Sequence, residues 1–344
     1  MTVRPPEPAL HEGDLHGGDL DTARSRFPNA PTPWIDLSTG INPHAYPVPD
    51  FDTAAWARLP QASDERALTE AACRRYGVAN GGMLVAAPGT QTLIQRVPRL
   101  LPSCDVAVLG PTYSEHGKAW RREGHRVREV GDLTEIGEAR AVVIVNPNNP
   151  TGRMFSVEEL RGIAAALEER RGLLVIDEAF ADAMDAEASL IPQLPRSSIV
   201  LRSFGKMYGL PGVRLGFAVA AEDIAAGLRD DLGPWSVPVP ALQVGTAALN
   251  DDVWLDEIRE TLKEDGSRLD GLLTGFGCEI VGATPLFRLI AHDKAGDVAL
   301  ALGEAGVYVR QFPEHPRWLR FGLPGDEAAW QRLQAALHTW SDDA

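Results

Sequence analysis

The chain is poor in cysteine, in basic charge and in long apolar runs, and each shortage excludes something. Cys73, Cys104 and Cys278 are the only cysteines among 344 residues, and they form no CxxC pair. A disulfide framework or a structural zinc site needs paired or clustered cysteines, so neither is expected, and a reducing compartment is the default. Lys and Arg number 33 against 48 Asp and Glu, a formal net charge of −15. That balance argues against a protein that wraps nucleic acid or lies on an anionic membrane. No stretch reaches the ~18 apolar residues of a membrane-spanning helix. The N-terminal MTVRPPEPALHEGD carries prolines and acids where a signal peptide needs an apolar core. A cytoplasmic, soluble protein is expected.

Several common motifs are missing too. No GxGxxG follows a strand-like run, so a nicotinamide site has little support. Gly205-Lys206 resembles the end of a phosphate-binding P-loop, but Val200 stands where its first glycine belongs and Met207 where it needs Ser or Thr. His11-Glu12 and His16 have HExxxH spacing in a glycine-rich segment, so no metal is expected there.

What remains is an ordinary globular balance, 44% hydrophobic and 24% charged, in a length that suggests two domains at ~150 residues each. The first 60 or so residues, rich in Pro, Gly and Asp, read as an arm or a series of turns, not a packed unit. A helix is expected over Ser63–Tyr76, with Ser63 as N-cap and Gly77 as its stop. From Met83 to about residue 230, short apolar runs alternate with helical stretches. Ala141–Val145 and Leu173–Ile176 are apolar throughout, as parallel strands covered on both faces are. Beyond Pro234–Pro240 a long helical pattern runs from Ala241 to Leu273. It is followed by LFRLIA, VYVRQF and WLRFGL as strands, with helices near Val298–Glu304 and Glu327–Trp340. The expected division is an arm and substrate lid over 1–60, a large α/β domain over 61–240, and an interdomain helix with a small α+β domain over 241–344.

An ordered set of polar residues follows the buried strands, where ligands of open α/β sheets bind. AVVIV runs into Asn146-Pro147-Asn148-Asn149-Pro150-Thr151-Gly152. LLVI runs into Asp177-Glu178-Ala179-Phe180. SSIVL runs into Arg202-Ser203-Phe204-Gly205-Lys206, and Arg214 lies eight residues on. Each piece alone could be a turn, a helix cap or a surface charge. Together, in this order, they suit pyridoxal 5'-phosphate (PLP) chemistry. A lysine amine forms the Schiff base. A carboxylate keeps the pyridine nitrogen protonated. Asn149 offers an N–H to the ring hydroxyl, and Tyr113 is placed to stack on the ring. Ser203, Arg214 and a helix opening at Pro88-Gly89-Thr90-Gln91 offer a phosphate cup.

The run NPNNPTG, DEAF, SFGK and RLGF resembles the fold-type I PLP enzymes of the class I/II aminotransferase family, from about Met83 to the C-terminus; Ser203–Phe217 is its most specific part. The resemblance implies a large domain with a mainly parallel seven-stranded sheet between helices, plus a small α+β C-terminal domain. It makes Lys206 the catalytic Schiff-base lysine and Asp177 the pyridine partner. The cofactor set is Gly89, Thr90, Gln91, Tyr113, Asn149, Asp177, Phe180, Ser203, Lys206 and Arg214. Arg320 matches the family's carboxylate-binding arginine. His16-Gly17-Gly18-Asp19 and the following WIDLSTGINP resemble the branch that decarboxylates L-threonine O-3-phosphate in cobalamin biosynthesis. The histidinol-phosphate aminotransferases share the cofactor motifs but not the HGG arm. The implied partner is thus a small phosphorylated amino acid, held by His16, Gly17, Asn42, Arg310 and Arg320, and the implied assembly is a homodimer.

Two departures are visible. Phe180 stands where many aminotransferases have a tyrosine that donates to the ring hydroxyl. Leu59-Pro60 stands where relatives often have a tyrosine that reaches the neighbouring subunit's cofactor. The cofactor motifs serve decarboxylation and transamination alike. Only the substrate clamp decides which bond is held perpendicular to the ring, so both outcomes stay open at this point.

Overall fold

The protein is described by a computed structural model for residues 17–48, 50, 53–184 and 188–343. The elements in chain order are α1 (Leu20–Arg26), β1 (Ile35–Leu37), α2 (Ala62–Tyr76), β2 (Leu84–Ala87), α3 (Thr90–Arg96), β3 (Asp105–Leu109), α4 (Ser114–Arg122) and β4 (Arg126–Val130). Next come β5 (Ala141–Val145), α5 (Val157–Glu169), β6 (Leu173–Asp177), β7 (Ser198–Ser203), α6 (Phe204–Met207), β8 (Gly216–Ala220), α7 (Glu222–Leu232), α8 (Val239–Leu249) and α9 (Asp252–Gly275). The chain ends with β9 (Glu279–Thr284), β10 (Phe287–Ala291), α10 (Ala295–Glu304), β11 (Val307–Gln311), β12 (Trp318–Gly322) and α11 (Glu327–Asp343).

The chain divides into two compact units. One holds Ile41–Ser267 and Gly282–Leu286; the other holds the described residues up to Gly40, with Arg268–Val281 and the chain from Phe287 on. The larger unit is built on a seven-stranded sheet of order β2-β8-β7-β6-β5-β3-β4. It is parallel except at β8, which runs antiparallel to both β2 and β7. Alternate residues of the inner strands, such as Val106, Val143, Val175 and Leu201, pack against Leu93, Ile94, Trp120 and Leu228 of α3, α4 and α7. Their neighbours Val142, Ile144, Leu174, Ile176 and Val200 are buried as well. Burial on both faces is why these strands read as unbroken apolar runs.

Three local expectations need correction. Helix α2 starts one residue before Ser63, and its N-cap is Gln61. The Asp64 carboxylate accepts the Gln61 N–H at 2.9 Å and closes a capping box. An acid at the third helical position outcompeted the serine. Gly77 does end the helix, in the left-handed conformation at φ 68°. The long helix from Ala241 is two, α8 and α9, parted at Asn250-Asp251, where Asp251 Oδ1 accepts the Trp254 N–H at 3.0 Å. An aspartate that caps a new helix interrupts the periodicity without a glycine or proline to announce it. The N-terminal segment is not only turns. It contains α1 and β1, and β1 pairs parallel with β11 in the smaller unit, Leu37 opposite Val309. A three-residue strand carries too little alternation to be seen in sequence.

The smaller unit carries a five-stranded sheet of order β1-β11-β12-β10-β9. Leu37, Val307, Val309, Leu319 and Phe321 point to its core. By the two-residue period of strands, Asp36, Tyr308, Arg310 and Arg320 share the opposite face, with Asp36 beside Tyr308 and Arg310 directly across from Arg320.

Candidate active site

In the larger unit the polar set collects at the carboxyl ends of the parallel strands. Asp177 closes β6 at 4% exposure. Its Oδ1 accepts the Ala179 N–H at 3.0 Å, and its Oδ2 lies 2.8 Å from His116 Nε2. The two buried groups are thus one hydrogen bond apart. His116 sits on α4, one helical turn beyond Tyr113, and meets that ring edge-on with centroids 6.2 Å apart. The sequence reading missed His116. The available signal was its spacing, since residues three apart share a helix face. Tyr113 donates to Gln91 Oε1 at 3.3 Å, and Gln91 Nε2 donates to Glu115 Oε2 at 3.2 Å. Burial, and after it Glu115 and Asp177, push the Tyr113 hydroxyl up to about 12. It therefore stays a neutral donor at any physiological pH.

The turn after β5 separates its asparagines by task. Asn146 exchanges hydrogen bonds with Phe155, donating to its carbonyl at 3.2 Å and accepting from its N–H at 2.7 Å. Asn148 donates to Pro111 O at 2.9 Å and to Thr151 Oγ1 at 2.7 Å, and accepts from Thr112 Oγ1 at 2.6 Å. These two amides build the turn itself. Asn149, the next residue, is half-buried.

Lys206 lies in the short helix α6 that follows β7, its Nζ 5.6 Å from the centre of the Phe180 ring. Where a tyrosine would present a hydroxyl, this chain presents an apolar edge and a π-face that favours a nearby cation. The residues after β7 are gripped from the segment 42–46. The Asn42 N–H donates to Lys206 O at 3.0 Å, and the Tyr46 N–H donates to Tyr208 O at 2.9 Å. Asn42 Nδ2 donates to Met207 O at 2.8 Å, while its Oδ1 accepts the His44 N–H at 2.9 Å. The structure thus places the side chain of Asn42, expected at the substrate, against the main chain of the lysine helix. Below Lys206, Phe204, Tyr208 and Trp254 stack in sequence at 4.5 and 5.6 Å.

At the start of α3, Gly89 has φ 84°, and a Cβ built there would lie 2.5 Å from Arg214 Nη2. Only glycine fits both the backbone angle and the guanidinium. Thr90 Oγ1 donates to Arg202 O at 3.1 Å, and Arg214 Nη1 donates to Pro211 O at 3.0 Å. Ser203 pairs across the sheet with Gly216, where a Cβ would come within 2.5 Å of Thr90 N. Gly89, Thr90, Ser203 and Arg214 thereby line a glycine-walled, cationic cradle of the kind a phosphate requires. A buried, doubly held carboxylate, a lysine amine and this cradle on one rim fit PLP.

A further buried cluster, also missed from sequence, ties β6 to β7. Arg202 reaches Glu178 Oε2 at 3.0 Å and Asp182 Oδ1 at 2.7 Å. Glu178 also accepts from Ser189 Oγ at 2.7 Å and from the Leu190 N–H at 3.0 Å. Burial pushes both carboxyl groups above their ordinary range, against the pull of Arg202. The bridge joins the strand that presents Asp177 to the strand that leads to Lys206.

In the smaller unit Arg320 is 6% exposed, and its Nη2 donates to Ser38 O at 2.5 Å. Burial, then the repulsion of Arg310, bring its guanidinium down to about 10, with Asp36 opposing. Burial also lowers Arg310. Like charges directly opposite on a sheet are destabilising, so this pair reads as a site for an anion. Gly17 lies against Ser38, while His16 lies outside the described residues. Among the described residues no acid, histidine and cysteine cluster suits a metal, and no helix is long and apolar enough to cross a membrane.

Comparison with known proteins agrees with this chemistry. Residues 33–337 match the profile of the aminotransferase class I and II family. The chain is 40% identical over 332 residues to a threonine-phosphate decarboxylase of Pseudomonas aeruginosa, covering 96% of this chain and 98% of that one. It is also 40% identical over 327 residues to a threonine-phosphate decarboxylase of Sinorhizobium, covering 94% and 97%. The fold is similar to the crystal structure of the histidinol-phosphate aminotransferase from Clostridium acetobutylicum, with a TM-score of 0.79, 19% identity, and 90% and 100% of the two chains covered.

Proposed function

Because the chain belongs to the class I and II aminotransferase family and takes PLP as its cofactor, we propose that it is a decarboxylase of L-threonine O-3-phosphate. The products are (R)-1-amino-2-propanol O-2-phosphate and CO2, as a step of cobalamin biosynthesis. The observation that carries this reading is Arg310 directly across from Arg320 on one sheet face. Two guanidinium groups, one of them buried, suit a small substrate with two anionic groups, a carboxylate and a phosphate. The names of the 40% identical relatives support the same substrate.

When bound, the cofactor supplies an electron sink for the pair left on Cα after bond cleavage. Lys206 Nζ would hold it covalently. Asp177, oriented by His116 and the Ala179 N–H, would keep a proton on the pyridine nitrogen. Asn149 would donate to the ring hydroxyl and Tyr113 would cover the ring. Gly89, Thr90, Gln91, Ser203 and Arg214 would hold the phosphate. Phe180 adds no hydrogen bond, so the ring hydroxyl lacks the phenol donor of many aminotransferases. Arg320 and Arg310 would bind the substrate's carboxylate and phosphate, and that orientation is what favours loss of the carboxylate over loss of the Cα proton. The proton that Cα gains in place of CO2 would come from the Lys206 amine, charged by the proton of the substrate ammonium, or from water. His16 would complete the substrate side, whereas the Asn42 amide is taken up by the Met207 carbonyl and Gly17 lies against Ser38.

The working assembly is a homodimer. Trp56 at 72% exposure, Leu59 and Trp235 supply apolar surface for a second copy.

The test is an assay with L-threonine O-3-phosphate and product identification. Stoichiometric CO2 and the amino alcohol phosphate are expected. Transfer of the amino group to a 2-oxo acid without CO2 would mark an aminotransferase instead.

A further inference from the structure

Ser38 is fully buried in the smaller unit and is the point where three separate segments meet. Its N–H and its hydroxyl both donate to Asp36 Oδ1, at 2.9 and 2.6 Å. This is an Asx-type turn, and it aims the next carbonyl in a fixed direction. The same hydroxyl accepts the Gly18 N–H at 2.7 Å. The Ser38 carbonyl accepts from Arg320 Nη2 at 2.5 Å. Gly17 crowds that same carbonyl. A Cβ built on Gly17 would stand 2.3 Å from Ser38 O and 3.0 Å from its carbonyl carbon. No side chain larger than hydrogen can occupy position 17 while Gly18 keeps its bond to the hydroxyl.

From this geometry we infer that Ser38 is a positioning residue for Arg320, and that it couples the seating of Gly17-Gly18 to the anion affinity of that arginine. The inference rests on Arg320 being the anion-binding arginine proposed above. Arg320 is held on one side by a backbone carbonyl and faces the like charge of Arg310, with Asp36 as countercharge. A guanidinium in that position takes a productive orientation only if its carbonyl acceptor stays in place. Ser38 O stays in place because its hydroxyl is bonded at once to Asp36 and to Gly18. When Gly17-Gly18 is seated the turn is rigid and Arg320 is aimed; when the segment lifts, the hydroxyl loses a donor and the carbonyl is released. The Gly17-Gly18 pair thus acts on the substrate without touching it. It also accounts for Asp36 and Ser38 in the run Asp36-Leu37-Ser38, which no cofactor role uses.

The experiment compares steady-state kinetics of the holoenzyme on L-threonine O-3-phosphate for Ser38→Ala, Gly17→Ala, the double variant and Arg320→Gln. Binding of inorganic phosphate by calorimetry gives a second readout. Loss of one or two hydrogen bonds that orient a charged group is expected to raise KM about tenfold. Because the defect lies in ground-state positioning, kcat should stay within about twofold. Ser38→Ala and Gly17→Ala should show this alike, and the double variant should be no worse than either, since both break one coupled unit. Phosphate affinity should fall in parallel. Unchanged KM in Ser38→Ala, or single effects that multiply in the double variant, would overturn the inference. If Arg320→Gln itself leaves KM and phosphate binding unchanged, the anion-binding role of Arg320 fails. If Arg320→Gln weakens both and Ser38→Ala weakens neither, only the positioning role fails. Gly17→Ala reads the coupling alone should Ser38→Ala fold poorly.

Discussion

At the scale of single residues, the chemistry rests on groups that their neighbours hold in place. Asp177 is engaged on both oxygens, by the Ala179 N–H and by His116, and the Tyr113 hydroxyl is kept neutral by burial. Replacing Lys206 by alanine is expected to abolish turnover together with the visible absorption that a covalently held cofactor gives. A spectrum of the purified variant after incubation with PLP checks this, and an unaltered band would remove Lys206 from its role. Arg320 gives a pH prediction. In its proposed role its guanidinium, lowered to about 10 by burial and by Arg310, would bind anions only while protonated. Substrate KM should therefore be flat from neutrality to about pH 9 and rise as the pH passes through 10, with the rise shifted upward in an Arg310→Gln variant. A flat KM to pH 11 would contradict it. Asp177, Lys206 and Arg214 could be picked out in the sequence because they stand in a fixed order about the ends of apolar strands, Asp177 closing β6, Lys206 just after β7 and Arg214 just before β8. His116 shows only its three-residue spacing from Tyr113, because its role depends on α4 bringing it to the end of β6. Asn42 could not be placed, because its amide meets the main chain of Met207, 165 residues away.

At the scale of elements, the strands and their loops do separate work. Helix α5 is started by a capping box in which Ser156 Oγ accepts the Glu159 N–H at 3.2 Å and Glu159 Oε2 accepts the Ser156 N–H at 2.8 Å. Ser156→Ala should lower unfolding free energy in urea by about 1 kcal/mol and leave kcat unchanged, because α5 carries no residue of the site. The turn into α3 behaves differently. Gly89→Ala must move either the backbone or Arg214, since its Cβ would overlap the guanidinium. PLP retention on dialysis should fall more than tenfold while the melting temperature of the apoprotein shifts by only a few degrees. Equal retention would show that the cradle is not where the phosphate sits. The apolar strands were legible because burial on both faces leaves an unbroken run. The break between α8 and α9 was not, because Asn250-Asp251 interrupts a helix by capping geometry alone.

At the scale of the whole molecule, an overall charge of −15 coexists with an anionic ligand. The acids lie mostly on the surface, whereas Arg320 is buried and Arg310 stands directly across from it. Local sign decides binding at close range, because added salt screens exposed charges more than buried ones. Raising ionic strength should therefore change KM much less than it changes electrophoretic or ion-exchange behaviour. Sedimentation at micromolar concentration should give a species of about twice the 37.2 kDa chain mass, and Trp56→Glu should shift it toward monomer. A monomeric, fully active wild-type protein would remove the second copy from the function.

The amino-acid sequence by itself determined the family, the cofactor and the parallel sheet. The residues that do covalent and charge-charge chemistry have few substitutes, and strand ends place them at recognisable spacings. Tertiary structure decided how those residues are aimed. The Asp177–His116 contact, the Arg202 bridge to Glu178 and Asp182, the grip of Asn42 on the lysine helix and the meeting of Gly17, Ser38 and Arg320 all join positions distant in the chain. Their energy depends on ångström-scale geometry in buried surroundings, where a hydrogen bond is strong and its loss costly. No local pattern of residues encodes such a distance; only the packed fold brings it about.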